Sequence, residues 1–287
     1  MDPFILKTLS NSAGAQGMQP TTLKQFQYDE KSTSLDQRIS SHRQYSNFDL
    51  HEWIKKKFRV QPGQRILDLG CGNGNFTELF WQAVGPEGHI LGCDKNETLI
   101  HQALDRHSGI TSKNVRFLTH DFDSPLPGDE QFDWIFAIYS IYYSEDSSAL
   151  LEMLLERLRV DGVLVIIGPG PENILGLTEF STRLTGEKPR LTHLERMKRI
   201  SDEFQPVLKK ELGDSRIEYL EVDSTLEFPD AESFANYYWA TLNWRENVEN
   251  FDEQTIRDLK EKTILWANQN PEIRTVQKQM SCLIGNK

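Results

Sequence analysis

Cysteine is scarce in this chain. Its 287 residues hold three, Cys71, Cys93 and Cys282, with no C-x-x-C spacing. That argues against a disulfide framework, a thiolate metal site or a redox pair. Three small apolar side chains in a reducing compartment, and no metal, are expected instead. Long hydrophobic runs are also missing. Nothing approaches the ~18 apolar residues of a membrane span. Phe4-Ile5-Leu6 is too short for a signal-peptide core and lacks a basic flank. No membrane span and a cytoplasmic location are therefore expected. Excess positive charge is absent as well, since 32 Lys and Arg against 43 Asp and Glu leave a net −11. A general nucleic-acid binder presents a basic face, so no nucleic-acid partner is expected, although a local basic patch stays open. No internal repeat is visible.

Apolar residues make up 38 %, with 15 Phe, 8 Tyr and 6 Trp, enough for a sizeable core. Residues 1–20 read as a weakly ordered arm, rich in Ser, Gly, Ala and Gln from Asn11 to Pro20. From Leu23 to Lys57 the pattern is helical, and residues 21–60 are expected to form an N-terminal lid. Residues 61–170 then alternate strand and helix. Strands are expected at Arg65–Leu69, His89–Asp94, Val115–Thr119, Phe132–Ile138 and Val163–Ile167. Helices are expected around Asn75–Val84, Glu97–Arg106 and Ser148–Leu158, with a turn at Asp161-Gly162. Continuous apolar strands between amphipathic helices imply a parallel sheet covered on both faces. Residues 171–213 read as a helical cap, with Pro206 forcing a kink or break. Residues 214–287 return to the core through a strand near Arg216–Val222, helices near Ala231–Asn243 and Glu253–Asn268, and a last strand near Gln277–Ile284. The fold expected is α/β, a Rossmann-like, seven-stranded, mostly parallel sheet with helices on both faces, an antiparallel last strand, and the helical cap inserted between strands five and six.

The most specific stretch is Asp68-Leu69-Gly70-Cys71-Gly72-Asn73-Gly74. Asp68 interrupts a buried strand where a further hydrophobe would serve structure better. Glycines then permit positive φ and close approach of a ligand. A second strand ends in Asp94. A glycine turn after one strand and a carboxylate after the next mark a nucleoside-binding α/β domain. The spacing is G-x-G-x-G and not the G-x-G-x-x-G that cradles a dinucleotide phosphate.

This string resembles motif I of the class I S-adenosylmethionine (SAM) methyltransferases, and the later order of elements looks like the quinone-biosynthesis and secondary-metabolite branch of them. The resemblance implies SAM as methyl donor and S-adenosylhomocysteine (SAH) as product. It implies that Asp68, Gly70, Cys71, Gly72 and Asn73 surround the methionyl chain, with Asp94 on the ribose hydroxyls and Lys95 beside it. It also implies Asp121 at the adenine amino group, Phe122 against the ring, and Ala137 nearby on strand four. Arg38 and Tyr28 of the lid are further candidates, Arg38 or Arg43 as a clamp on a carboxylate.

Phe132–Tyr143 resembles motif IV, but Tyr142-Tyr143 stands where small-molecule relatives often carry two histidines. These tyrosines can orient an acceptor or hold a cationic amine. Tyr142, Tyr143 and His193 are the candidate catalytic residues, with His42 a further candidate base. Methyl transfer from a sulfonium leaves a neutral product, so positioning and desolvation suffice and a base matters only if the acceptor must lose a proton. The reading is a SAM-dependent methyltransferase acting on O, N or C of a small, aromatic or amine-bearing metabolite, as a monomer or homodimer. The acidic chain favours a neutral or cationic acceptor. A protein or RNA target, and a non-catalytic SAM-binding regulatory module, are the alternatives.

Overall fold

The computed structural model describes residues 32–109, 114–187, 191–241 and 251–287. Seven strands form one sheet in the order β3-β2-β1-β4-β5-β7-β6. They are β1 Arg65–Leu69, β2 His89–Asp94, β3 Val115–Thr119, β4 Phe132–Ile138, β5 Leu158–Pro169, β6 Ile217–Glu227 and β7 Thr275–Asn286. β1 to β5 run parallel, and β7 is antiparallel to both β5 and β6. The topology switches between β1 and β4, where chains of this kind open a crevice at their carboxyl ends.

The central strands are buried on both faces because both faces are covered. Ile66 and Leu67 of β1 and Ile135, Phe136 and Ala137 of β4 have no solvent exposure. On one side lie α2 Leu50–Lys57, α3 Thr77–Val84 and α4 Glu97–Arg106. The start of α4 follows from Asn96, whose side chain accepts from Leu99 N at 3.2 Å. On the other side lies α5 Ser147–Arg157, capped by Asp146 over Ser148 N and Ala149 N.

The strand expectations differ in length. β5 begins at Leu158 because the Asp161-Gly162 turn is absorbed as an irregularity: Phe132 pairs with Leu158, and Trp134 with Val163. Asp161 takes φ 64 there, and the extra residues loop out of an otherwise paired ladder. β6 and β7 extend to eleven paired positions. Glu218, Glu221 and Glu227 keep the edge strand β6 charged.

The cap expected over 171–213 divides in two. α6 Leu175–Thr185 and α7 Leu191–Arg199 leave the sheet. A π turn, Ile200–Phe204, then runs directly into α8 Gln205–Leu212. Pro206 sits in the first turn of α8, where a missing N–H costs nothing. The strain expected of it is taken up by the wider turn before it, not by a break. Ile200, Phe204 and Leu208 are buried with Leu150 and Leu154 of α5 and Leu164 and Ile166 of β5. This part therefore covers the sheet.

A second apolar cluster lies beyond the carboxyl ends. It joins Leu177, Phe180 and Leu184 of α6 to Phe234, Tyr237 and Tyr238 of α9 Ala231–Ala240 and Ala267 of α10 Glu253–Gln269. The helix α1 Ser32–Tyr45 packs on α9. Residues 23–31, part of the expected lid, lie outside the described residues, as does the arm 1–20.

Candidate active site

The turn after β1 is built by close backbone approach. Gly70 has φ +73, and a Cβ there would meet Ser140 Cβ at 2.2 Å. Only glycine fits both constraints. The Ser140 hydroxyl donates to Leu69 O at 2.6 Å, and Gly70 N and Cys71 N donate to Cys93 O at 2.7 and 2.9 Å. Asp94 completes the turn, accepting from Gly72 N and from Asn96 N at 2.9 Å each. His107 Nε2 donates to Gly74 O at 2.8 Å. Asn73 is buried and bridges outward, donating to Asp36 Oδ1 of α1 at 2.8 Å and accepting from Arg106 at 3.2 Å. The glycine turn thus carries its own cover.

Asp68 is the anomaly. It is 2 % exposed, and among the described residues its Oδ2 has no hydrogen-bond partner. Burial, and then the like charge of Asp94, push its carboxyl up from 3.8 to about 7. A buried carboxylate oxygen left without a donor is costly and marks a place where a ligand donor fits.

A cavity of about 480 Å³ opens from this turn, within the range of small-molecule sites. Of the residues expected at the site, Arg38, Asp68, Gly70, Cys71, Gly72, Asn73, Asp94, Lys95, Phe122, Tyr142 and Tyr143 line it. Two expected residues do not. Ala137 is packed with Leu67, Leu69 and Ile135 in the core, since it points into the helix layer and not past the strand end. Asp121 lies outside the wall, accepting from Asp123 N at 3.2 Å in its own turn, 3.8 Å from Lys95 Nζ. Tyr28 lies outside the described residues. His193 is on α7, and its side chain is likewise outside them.

The far end of the cavity is aromatic. Tyr142 and Tyr143 have ring centroids 4.6 Å apart. The Arg196 guanidinium sits 5.2 Å from the Tyr143 ring. Arg199 donates to Tyr142 O and Ser144 O at 2.9 and 2.6 Å, holding the segment after β4 in place. Tyr139, one residue past β4, has φ 54, a conformation that costs a non-glycine residue energy and is concentrated at functional sites. Tyr139 is 38 % exposed, while burial pushes the hydroxyl of Tyr142 well above its usual value.

Tyr139, which belongs to the Phe132–Tyr143 stretch read from the sequence, and Tyr237, on the aromatic face of the helix near Ala231–Asn243, also line the cavity, and Lys278 joins them without having been picked out from the sequence. Tyr139 was legible as the residue that leaves β4 at its carboxyl end. Lys278 carries no local signal, because only the antiparallel return of β7 brings it there. His42 lies with its ring edge-on to Tyr237, centroids 5.9 Å apart. Burial first, then Lys278 and Arg38, bring its imidazole down to about 3. Burial, then Arg38, bring the Lys278 ammonium down to about 7.

Residues 61–211 match the family model described as a methyltransferase domain. The chain belongs to the methyltransferase-domain family. It is similar to the demethylmenaquinone methyltransferase of Listeria monocytogenes, 28 % identical over 135 residues, which is 45 % of this chain and 56 % of that protein. It is also similar to the ubiquinone/menaquinone biosynthesis C-methyltransferase UbiE of Vibrio vulnificus, 33 % identical over 111 residues, 38 % of this chain and 42 % of that one. The matched stretch spans about half the length of these curated relatives. In fold it is like a SAM-dependent methyltransferase from Geobacter sulfurreducens solved with SAH, with a TM-score of 0.52 at 17 % identity, covering 90 % of this chain and 99 % of that chain.

The residues of this methyltransferase domain fit SAM as its methyl donor. The unpartnered Asp68 Oδ2 suits a cationic amine. Among the described residues only Leu35 Cδ2 comes near a Cβ placed on Gly72, at 3.7 Å. Among the described residues no helix is long and apolar enough to cross a membrane.

Proposed function

We propose that the protein transfers the methyl group of SAM to a small, ring-bearing acceptor. One observation carries this reading. A single cavity joins the glycine turn, Asp68 and Asp94 at one end to Tyr139, Tyr142, Tyr143 and Tyr237 at the other. Its cover, α1, is tied to the turn through Asn73 and Asp36, so the acceptor end lies under a helix and suits a small molecule better than the surface of a macromolecule. The quinone-biosynthesis relatives support a ring as acceptor.

When bound, SAM supplies an electrophilic methyl on a sulfonium that becomes a neutral thioether. The protein's part is binding and placement. Asp94 already accepts two backbone N–H groups and has lone pairs left for the ribose hydroxyls. Asp68 meets the donor's ammonium, which supplies the hydrogen bonds its Oδ2 lacks. Phe122, 8 % exposed on the cavity wall, packs on the adenine face. At the other end the hydroxyl of Tyr142 stays protonated at neutral pH, so it orients an acceptor by donating to it and does not take its proton. Positioning two reactants in a dry chamber supplies the acceleration.

The test is calorimetric titration with SAH. Wild type binds it, and Asp94→Ala weakens binding by about tenfold or more, the loss of a charge-assisted hydrogen bond. If wild type fails to bind SAH at micromolar concentration, methyl transfer by this site is ruled out.

A further inference from the structure

Pro169 at the end of β5, and Asn173 and Ile174 in the loop after it, line the cavity. Asp68 and Asp94, the carboxylates of the donor end, belong to β1 and β2. The order β2-β1-β4-β5 puts β5 two strands from β1, about 10 Å at the usual strand spacing. This loop therefore stands on the acceptor side. It is held there by β7, which runs antiparallel past the end of β5 with Met280 opposite Pro169. Gln279 lies one residue further out and takes the loop. Gly170 N donates to Gln279 O, and Glu172 N to Gln279 Oε1, both at 2.9 Å. The amide nitrogen of Gln279 donates to Asp223 Oδ1 at 3.1 Å. Glycine permits this approach, since a Cβ on Gly170 would meet Gln279 Cγ at 2.7 Å. Gln279 N in turn donates to Asn173 Oδ1 at 3.2 Å.

That last bond sets the Asn173 amide. A backbone N–H only donates, so it faces the amide oxygen and leaves Nδ2 turned the other way. Asn173 is 6 % exposed, and among the described residues nothing accepts from its Nδ2. Tyr237 of α9 repeats the pattern. It is 1 % exposed, it lines the same cavity, and among the described residues its hydroxyl has no hydrogen bond. A buried donor left without an acceptor is costly, and native folds keep few of them. Strain marks the same wall. Of the three described non-glycine residues with positive φ, Tyr139 and Ile174 line the cavity, beyond the carboxyl ends of the neighbouring strands β4 and β5. Ile174 is β-branched, which makes φ 53 especially unfavourable.

We propose that Asn173 seats the acceptor, its Nδ2 donating to a carbonyl oxygen on or beside the acceptor ring, with the Tyr237 hydroxyl as a further donor of the same chamber. This deepens, and rests on, the methyl-transfer reading above. A carbonyl suits a donor-only group because it brings lone pairs and no hydrogen of its own. An amine would set N–H against N–H. Asn173 is thus the specificity-determining residue, and of the aromatic and amine-bearing acceptors expected from the sequence it selects the oxygenated ring. Gln279 is a positioning residue, since it fixes which end of the Asn173 amide faces the chamber.

The experiment uses the full chain saturated with SAH and titrates acetophenone, toluene and benzylamine as probes, at about pH 8 so that an introduced carboxyl is ionised. Acetophenone binds wild type at least about tenfold more tightly than toluene does. Asn173→Leu removes the amide at similar volume and abolishes that preference, with toluene binding within about twofold of wild type. That variant also takes the acceptor from Gln279 N. Asn173→Asp keeps an oxygen for Gln279 N and turns a second oxygen toward the chamber in place of the donor. In it acetophenone loses its advantage, benzylamine binds about tenfold more tightly than to wild type, and SAH affinity stays within about twofold. No preference for acetophenone over toluene in wild type at millimolar concentration, or an unchanged preference in Asn173→Asp, overturns the proposal. A drop of about tenfold in SAH affinity in Asn173→Asp also overturns it, since the amide would then serve the methyl donor. Failure of wild type to bind SAH is a separate result and strikes the methyl-transfer reading itself.

Discussion

Asp68→Asn tests the donor end of the site with opposite effects on stability and binding. In the free protein the Asp68 carboxyl is raised from 3.8 to about 7, by burial and then by Asp94. Between those values the unfolded chain has lost this proton and the folded chain still holds it. Stability from residue 68 is therefore full below about pH 4, falls as pH rises, and levels off above about pH 7. The whole difference is about 4 kcal/mol. Asparagine cannot ionise, so the stability of the variant minus that of wild type should grow by about that amount from pH 4 to pH 8. Paired denaturant titrations at several pH values measure this difference and cancel all other titrating groups. Binding should move the other way. The variant loses a charged partner for the donor's ammonium, about 1.5–3 kcal/mol, or roughly tenfold to a hundredfold in SAH affinity. A stability difference that does not vary with pH would mean that Asp68 is not held protonated by the fold. Unchanged SAH affinity would remove it from the donor site.

Two further perturbations probe how the turn is held. Gly70→Ala clashes with Ser140 at 2.2 Å and strains φ +73; it is expected to cost about 3 kcal/mol or more. Adding Ser140→Gly removes the two nearest atoms and leaves Ser140 Cα at 3.6 Å, so a double-mutant cycle by chemical denaturation should show favourable coupling of about 1–2 kcal/mol, whereas additivity would contradict the contact. Asn73→Ala removes the bonds to Asp36 and Arg106; amide exchange over 32–45 should accelerate with little change in the sheet, and unchanged exchange would mean that α1 is held without them.

The elements that were legible in the sequence are those whose cause is local. β1, β2, β3 and β4 and α4 stand where they were expected, because apolar runs, Asn96 as a cap and the Gly85–Gly88 turn punctuate them within a few residues. The lengths of β5, β6 and β7 were not legible, since strand length is decided by the partner. β6 carries mixed polar and apolar residues that pair through Glu227 only because β7 runs antiparallel beside it. Pro206 shows the same limit. Its effect depended on whether the turn before it could widen, and Ile200 and Phe204 are buried against the sheet when it does.

The same division runs through the site. The donor end lies in one strand, one turn and the next strand, so Asp68, the Gly70–Gly74 turn and Asp94 could be read together from their order and spacing. Its chemistry is carried by backbone conformation, which glycine spacing records directly. The far end of the cavity needed tertiary structure to assemble it. Arg38 and His42, candidates already in the sequence, come from α1, Tyr139 from the end of β4, Tyr237 from α9 and Lys278 from the first half of β7. Lys278 is an unremarkable polar residue in its own segment. These side chains become one tyrosine-walled chamber only when β7 turns back between β5 and β6 and α1 packs on α9. Long-range pairing brings them together, and no local pattern encodes the distance between them.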